Sequence, residues 1–243
     1  MIDQNAAGGH SPRVNIKGTP ASVVFETQAF RVYRQLEDEI LRGQLPPGQR
    51  LTRRDLSRRF EVSQATVSEA LWRLEADGLA ESAPMYGTRV TQVTLDRMRE
   101  ELILREALEC QVARQAAKYI QAADHARLGE LADRVDAALQ RAGGYSREDM
   151  ELHQELHLSL ARLTRCPLLI REVESLWRRH FMVFTWITGK VYPSPENWHR
   201  ILLDAISTQD ADVAERAMRE HILHGSDYQL EALKESLREA GTG

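Results

Sequence analysis

Four histidines carry the most specific chemistry in this sequence. His153 and His157 are spaced i, i+4, so a helix puts both imidazoles on one face. Met150, Leu156, Leu160 and Leu163 share that face, which therefore turns inward. His199 stands with Leu202, Leu203 and Ile206 at i+3, i+4 and i+7, and His221 stands with Ala214, Ala217 and Met218. Three helices thus each aim histidine at a core. Imidazole nitrogens suit zinc, nickel, copper or iron, and a bundle interior is a usual place for such ions. The plainer reading of any one of them is a core histidine satisfied by a hydrogen bond. Four on three helices weigh against it, because each buried imidazole without a partner is costly. Asp149 and His224 lie toward the same faces and are candidates to support the ligands from behind. Arg105 and Glu109 share a stripe with Met98, Leu102, Val112 and Ala116. They read either as a structural i, i+4 ion pair or as a guanidinium fork poised for a carboxylate ligand.

A second set of residues points to nucleic acid. Arg50, Arg53, Arg54, Arg58 and Arg59 crowd one short segment and can neutralise phosphates. The segment ahead, Gln64 to Ala76, reads as a helix with Val67, Leu71 and Leu74 inward, capped by Ser63 and ended by Gly78. Its outward residues, Gln64, Thr66, Ser68 and Arg73, can meet base edges. An arginine-rich surface helix is commonplace by itself; the order of the flanking elements gives it meaning. A helix is expected over about residues 27–42, then a Gly/Pro loop at 43–48, then a short helix capped by Thr52. Leu79–Ser82 and Thr88–Val93 can pair as two strands around a turn containing Gly87, which lets backbone approach a duplex closely. Helix, helix-turn-helix and hairpin in this order spell a winged helix-turn-helix.

From Thr94 onward only helical patterns occur, near residues 95–120, 124–142, 147–164, 167–188, 195–208 and 211–238. The expected fold is therefore mainly α. A disordered tail spans 1–21, a winged helix-turn-helix with a small β wing spans 22–93, and an all-α antiparallel bundle spans 94–240. The chain of 243 residues suits two domains. Net charge is −4, so no basic coat announces a polyanion partner, and any basic surface must be local. Residues 22–92 hold ten Arg against ten Asp or Glu, whereas residues from 93 onward carry a net −5. No apolar run reaches about 18 residues, so no membrane span is expected. The N-terminal stretch lacks the apolar core of a secretory signal. Cys110 and Cys166 lack metal-type spacing and read as reduced thiols of a cytoplasmic protein.

Several stretches resemble the GntR family of regulators. They are Gly43-Gln-Leu-Pro-Pro-Gly-Gln-Arg-Leu51, Arg54-Asp-Leu-Ser57, Val62-Ser63, Val67-Ser-Glu-Ala-Leu71 and Leu74-Glu-Ala-Asp-Gly-Leu79. The resemblance covers Val24 to Thr91. It implies that Arg54, the start of the recognition helix and Gly87 contact DNA. Gln64 and Ser68 stand where the family usually carries Arg, and Thr66 where it often carries Pro. Two charges aimed at bases or phosphates are thus absent, which bears on the operator sequence. Residues 95–238 are similar to the FCD ligand-binding domain of the FadR-type branch. The similarity rests on Arg105-Glu-Ala-Leu-Glu109, Leu156-His157, His199-Arg-Ile-Leu-Leu-Asp-Ala-Ile206 and Ala217-Met-Arg-Glu-His221. In many members three His and one Asp bind a divalent metal that helps hold a carboxylate effector. His157, His199 and His221 fall on the His positions, and His153 falls on the Asp position. A four-His set keeps metal competence, carries one negative charge fewer, and favours zinc or nickel over manganese or magnesium.

Together these readings imply a homodimeric transcriptional repressor on a pseudo-palindromic DNA operator. A small organic acid, held by the metal and by Arg105 and Glu109, would modulate DNA binding. One alternative is a regulator whose signal is the metal itself. Another is a metalloenzyme at the histidine site. The sequence holds no His-Glu-x-x-His, no Gly-x-Ser-x-Gly and no phosphate-cradling glycine loop, so no catalytic role is expected. A third has the helical half serving only to dimerise, with its histidines packed.

Overall fold

The computed structural model describes residues 27–83, 85–141, 146–185, 187 and 194–239. The tail expected over 1–21 lies outside the described residues, as do the connections at Gly143-Gly144-Tyr145 and Tyr192-Pro193.

The first part is α1 (Gln28–Leu41), β1 (Arg50–Leu51), α2 (Arg53–Phe60), α3 (Gln64–Ala76), β2 (Ala80–Ala83) and β3 (Gly87–Val90). Each helix starts where a hydroxyl can take an orphan amide. Thr27 accepts from Phe30 N, Thr52 from Asp55 N and Ser63 from Thr66 N. Gly78 closes α3 at φ 73, and its amide bonds Glu75 O while Leu79 N bonds Leu74 O. That is a Schellman closure, and it needs the left-handed residue that glycine supplies. Val67, Ala70, Leu71 and Leu74 of α3 pack against Val32, Leu36 and Ile40 of α1.

The wing departs from expectation in one respect. It is a three-stranded antiparallel sheet in the order β1-β3-β2, with Arg50 opposite Arg89 and Leu51 opposite Thr88. Two residues cannot show an alternation, so β1 left no signal in the sequence.

Six helices follow among the described residues: α4 (Leu95–Tyr119), α5 (Ala122–Leu139), α6 (Arg147–Leu163), α7 (Pro167–Phe184), α8 (Trp198–Ser207) and α9 (Ala211–Glu239). α4 runs against α9, α6 and α7; α5 packs on α6 and α8. Helix α5 begins earlier than expected because Gln121 N donates to Asp124 Oδ2, which fixes the first turn. Asp149 closes a capping box with Ser146 at the start of α6. The cores of the two halves form one apolar cluster.

Side chains from the helical half also seize the ends of the head's helices. Arg147 Nη1 and Thr185 Oγ1 donate to Leu41 O, at 2.7 and 2.9 Å. Arg178 Nη2 donates to Asp77 Oδ1 at 2.6 Å, and Arg97 Nη2 to Gly78 O at 3.2 Å. The C-termini of α1 and α3 are thus tied down by cations and a hydroxyl that satisfy their free carbonyls.

Candidate metal centre and nucleic-acid interface

The inward faces of α6, α8 and α9 bring the four histidines together. One ligand atom from each of His153, His157, His199 and His221 lies within 4.8 Å of all the others, and all four residues are buried. His153 Nε2 stands 3.1 Å from His157 Nε2 and 3.0 Å from His199 Nε2.

Two carboxylates decide what those nitrogens carry. His199 Nδ1 lies 2.7 Å from Asp136 Oδ1, so its Nδ1–H donates and its Nε2 keeps a lone pair. Asp136 also accepts the backbone amides of His199 and Arg200, at 2.9 and 3.1 Å. It thereby caps α8, whose own cap residue, Asn197, sits at φ 56 and makes no side-chain cap. One carboxylate on α5 thus starts the helix that presents His199 and orients the ring. His157 Nδ1 faces Glu109 Oε1 at 3.2 Å. Glu109 further accepts Trp177 Nε1 at 2.6 Å and Arg105 Nε at 3.0 Å. The lone pair on His199 Nε2 therefore faces His153, and His157 Nε2 adds a second when its proton sits on the Nδ1 that faces Glu109; a single Nε2 proton on His153 can serve only one of them. A cation shared among them satisfies all three, and the donor set fits a transition metal.

Burial pushes the pKa of His153 and His221 well below the ordinary histidine value, and the neighbouring imidazoles push further. His180 is held well down by burial and by Arg105. His199 is lowered by burial against the opposing pull of Asp136. Burial opposes ionisation of Glu109, but His157 and Arg105 outweigh it and hold the carboxyl below the usual range. The sign of the pH dependence follows. Folded histidines stay neutral where unfolded ones protonate, near pH 6.5, so the unfolded state takes up more protons as pH falls. In EDTA the metal-free protein should lose stability between pH 7.5 and 5.5, by about 1.4 kcal/mol per pH unit for each such histidine at full effect. Urea melts at the two pH values check this; an unchanged midpoint would show the imidazoles to be freely protonated in the fold.

In the sequence, Asp149 stands among the candidates to support the ligands, and Glu109 as the partner of Arg105 or of an effector. Asp149 caps α6 and pairs with Arg141. Among the described residues Asp136, which sequence reasoning missed, stands behind His199, and Glu109, read from the sequence as an ion-pair partner of Arg105 or an effector contact, stands behind His157. Arg105 makes the buried ion pair with Glu109, lies over the Trp177 ring at 4.9 Å and also lines a cavity of about 30 Å³. His153, His221, His224, Trp198 and Tyr228 line the same cavity. His224 stacks edge-on to Trp198 there, with ring centres 5.0 Å apart.

On the head, Arg50, Arg53 and Arg54 are exposed and form no ion pair with any described residue. Arg50 lies beside Gly87, which has φ 75. Gln64 is exposed; Ser68 Oγ donates back to Gln64 O at 2.9 Å. The Ser63 and Thr66 hydroxyls bond each other at 2.8 Å at the start of α3. Arg73 stands apart: it pairs with Glu69 and lies over the Phe30 ring. The residue one turn beyond Ser68 is Trp72, 72% exposed, which sequence reasoning also missed. Met85 and Tyr86 at the wing tip are 99% and 75% exposed.

The order of α1, α2, α3 and the wing sheet places the chain in the class of winged helix-turn-helix regulators. Comparison with known proteins narrows the class. Residues 28–90 match the family described as "Bacterial regulatory proteins, gntR family", and residues 100–224 match the FCD domain. The chain belongs to the gntR family, in the branch that carries an FCD domain. It is similar to the HTH-type transcriptional repressor RspR of Escherichia coli (strain K12), 28% identical over 216 residues, covering 86% of this chain and 88% of that one. It is also similar to the Uxu operon regulator of Haemophilus influenzae, 26% identical over 227 residues, covering 86% and 84%. Among solved structures, E. coli McbR/YncC shares the fold with a TM-score of 0.64 at 21% identity, covering 84% of this chain and 98% of that one. The family and these relatives are transcriptional regulators, not enzymes. No described helix is long and apolar enough to cross a membrane.

Proposed function

We propose that the protein is a homodimeric, cytoplasmic repressor whose grip on a pseudo-palindromic operator is set by a small organic acid. The head, over 22–93, binds DNA through Arg50, Arg53, Arg54, Ser63, Gln64, Thr66, Ser68 and Gly87; Arg73 guards the flank. Trp72 adds an apolar surface suited to a thymine methyl, and the wing tip adds a wedge suited to the minor groove. The helical domain, over 94–240, holds one divalent metal, zinc or nickel, on His153, His157, His199 and His221. That metal would supply a positive centre for a carboxylate, and Arg105 a second one from across the cavity. The observation that carries the reading is the cluster of four buried histidines beside a buried arginine; the water-sized cavity between them has to widen to admit an acid. Selection from random duplex DNA tests the DNA half. The expected outcome is an enriched motif with two inverted half-sites about one helical turn or a multiple of it apart; a single unsymmetric site would sink the dimer reading.

The four imidazoles also favour a second reading, a metal sensor. Four ligands complete a tetrahedral shell, so zinc held by all four has no position left for an acid. A six-coordinate ion such as nickel keeps two. If operator affinity follows metal alone and ignores organic acids, the sensor reading replaces the first.

Coupling between the halves is built into α7. Trp177 packs on His157, with ring centres 4.7 Å apart, and its Nε1 holds Glu109. The next residue, Arg178, holds Asp77 at the end of α3, and Tyr33 Oη joins the same carboxylate at 2.7 Å. A shift at the metal centre therefore moves the anchor of the recognition helix. An effector acts only through such a difference between two arrangements. Arg178→Ala should keep DNA binding within a few-fold and metal content unchanged, while the effector- or metal-dependent change in operator affinity falls by about five-fold or more. Unaltered coupling in fluorescence anisotropy would remove α7 from the route.

A further inference from the structure

The wall of the cavity contributed by α9 contains an amide whose oxygen no described residue satisfies. Gln229 on α9 lines the cavity, is 5% exposed, and its Oε1 has no hydrogen-bond partner among the described residues. Its amide packs over Gly225, one turn along α9 from His221, where a Cβ would meet Trp198 Cη2 at 3.3 Å and Gln229 Nε2 at 3.8 Å. Glycine at 225 thus lets the indole and the amide share one wall of the pocket. A buried carbonyl oxygen left unpaired costs free energy, and natural folds rarely keep one without a reason. An unhydroxylated acid, held by its carboxylate alone, would leave Gln229 Oε1 unpaired.

We propose that Gln229 reads a hydroxyl on the effector, so the ligand is a short hydroxy acid and not a plain carboxylic acid. The inference rests on the carboxylate-effector reading above. In it the metal and Arg105 hold the carboxylate, and the ligand's O–H donates to Gln229 Oε1. Sites built to bond a hydroxyl reject the analogue that lacks it, because the protein group is then stranded.

The test is titration calorimetry on the full-length, metal-loaded protein with 2-hydroxybutanoate and 3-hydroxybutanoate, each against butanoate. At least one hydroxy acid should bind about 10- to 100-fold more tightly than butanoate. In Gln229→Leu that preference should collapse to within about two- to three-fold, through weaker binding of the hydroxy acid and tighter binding of butanoate, with metal content unchanged. Gln229→Met, unbranched and of similar length, gives the same comparison should the branched side chain disturb packing. Equal binding of all three acids, or a preference that survives both substitutions, would overturn the role of Gln229 and leave the carboxylate reading standing. No binding of any acid to the metal-loaded protein would overturn both.

Discussion

Purified from cells supplied with zinc and nickel, the wild-type protein is expected to carry about one transition-metal ion per chain, and His157→Ala little or none. The expectation follows from how each ring is held. Removing His157 deletes one of three nitrogens that meet within 3.1 Å at His153 and strands Glu109 against Arg105 and Trp177 alone. Asp136→Asn leaves all four ligands in place but exchanges the carboxylate behind His199 for a neutral amide. Losses of about 10- to 100-fold in metal affinity are usual for such partners. Asp136→Asn should therefore retain metal at high supply and release it to a weak chelator sooner than wild type. Stability follows occupancy, because only the folded state assembles the site. An ion at 100 to 1,000 times its dissociation constant contributes about 3–4 kcal/mol. For a chain of this size that is about 6–16 °C in Tm, lost on adding EDTA. Elemental analysis and a pair of melts decide the matter. Absence of metal in wild type after incubation with either ion, with no EDTA effect, would reduce the histidines to core packing.

Periodicity carries a sequence reading a long way where a helix presents one apolar face. The ligand histidines are visible because each sits on such a face, and the caps of α2 and α3 because Thr52 and Ser63 precede the runs they start. The groups behind the ligands are less visible, because their partners lie on other helices. Asp136 meets His199 across 63 positions, and an acid on a helix usually reads as solvated. A signal exists: Asp136 falls on the stripe of Leu128 and Ala132, which are fully buried. A carboxylate on that stripe must find a partner. Glu109 is visible, but only as one half of an i, i+4 pair with Arg105, structural or ligand-facing; that spacing says nothing of His157, Trp177 or α6. The coupling of Trp177 and Arg178 is hidden for a different reason. Neighbours on a helix point about 100° apart, and only the placement of α1 and α3 reveals what each direction meets.

The other large effect is expected on the head. Replacing Arg50, Arg53 and Arg54 together by Ala should weaken operator binding by about 100-fold, at roughly 1 kcal/mol for each guanidinium removed from a phosphate. The slope of log affinity against log salt should fall by about 2.7, since each phosphate neutralised contributes about 0.9. These three arginines are singled out by what they lack. Arg59 is engaged by Glu39, Arg89 by Glu81 and Arg73 by Glu69, whereas Arg50, Arg53 and Arg54 have no carboxylate among the described residues. A guanidinium already paired gives up that partner on meeting a phosphate, so its net contribution is small; a free one gives up only water. Arg73→Ala is the internal control, expected within about three-fold of wild type with an unchanged salt slope. Measured by anisotropy across a salt series, the two variants separate electrostatic anchoring from the packing of α3. A comparable loss in Arg73→Ala would mean that α3 meets DNA along its Glu69–Arg73 flank, and Trp72 would then lie off the groove and lose its role in reading thymine.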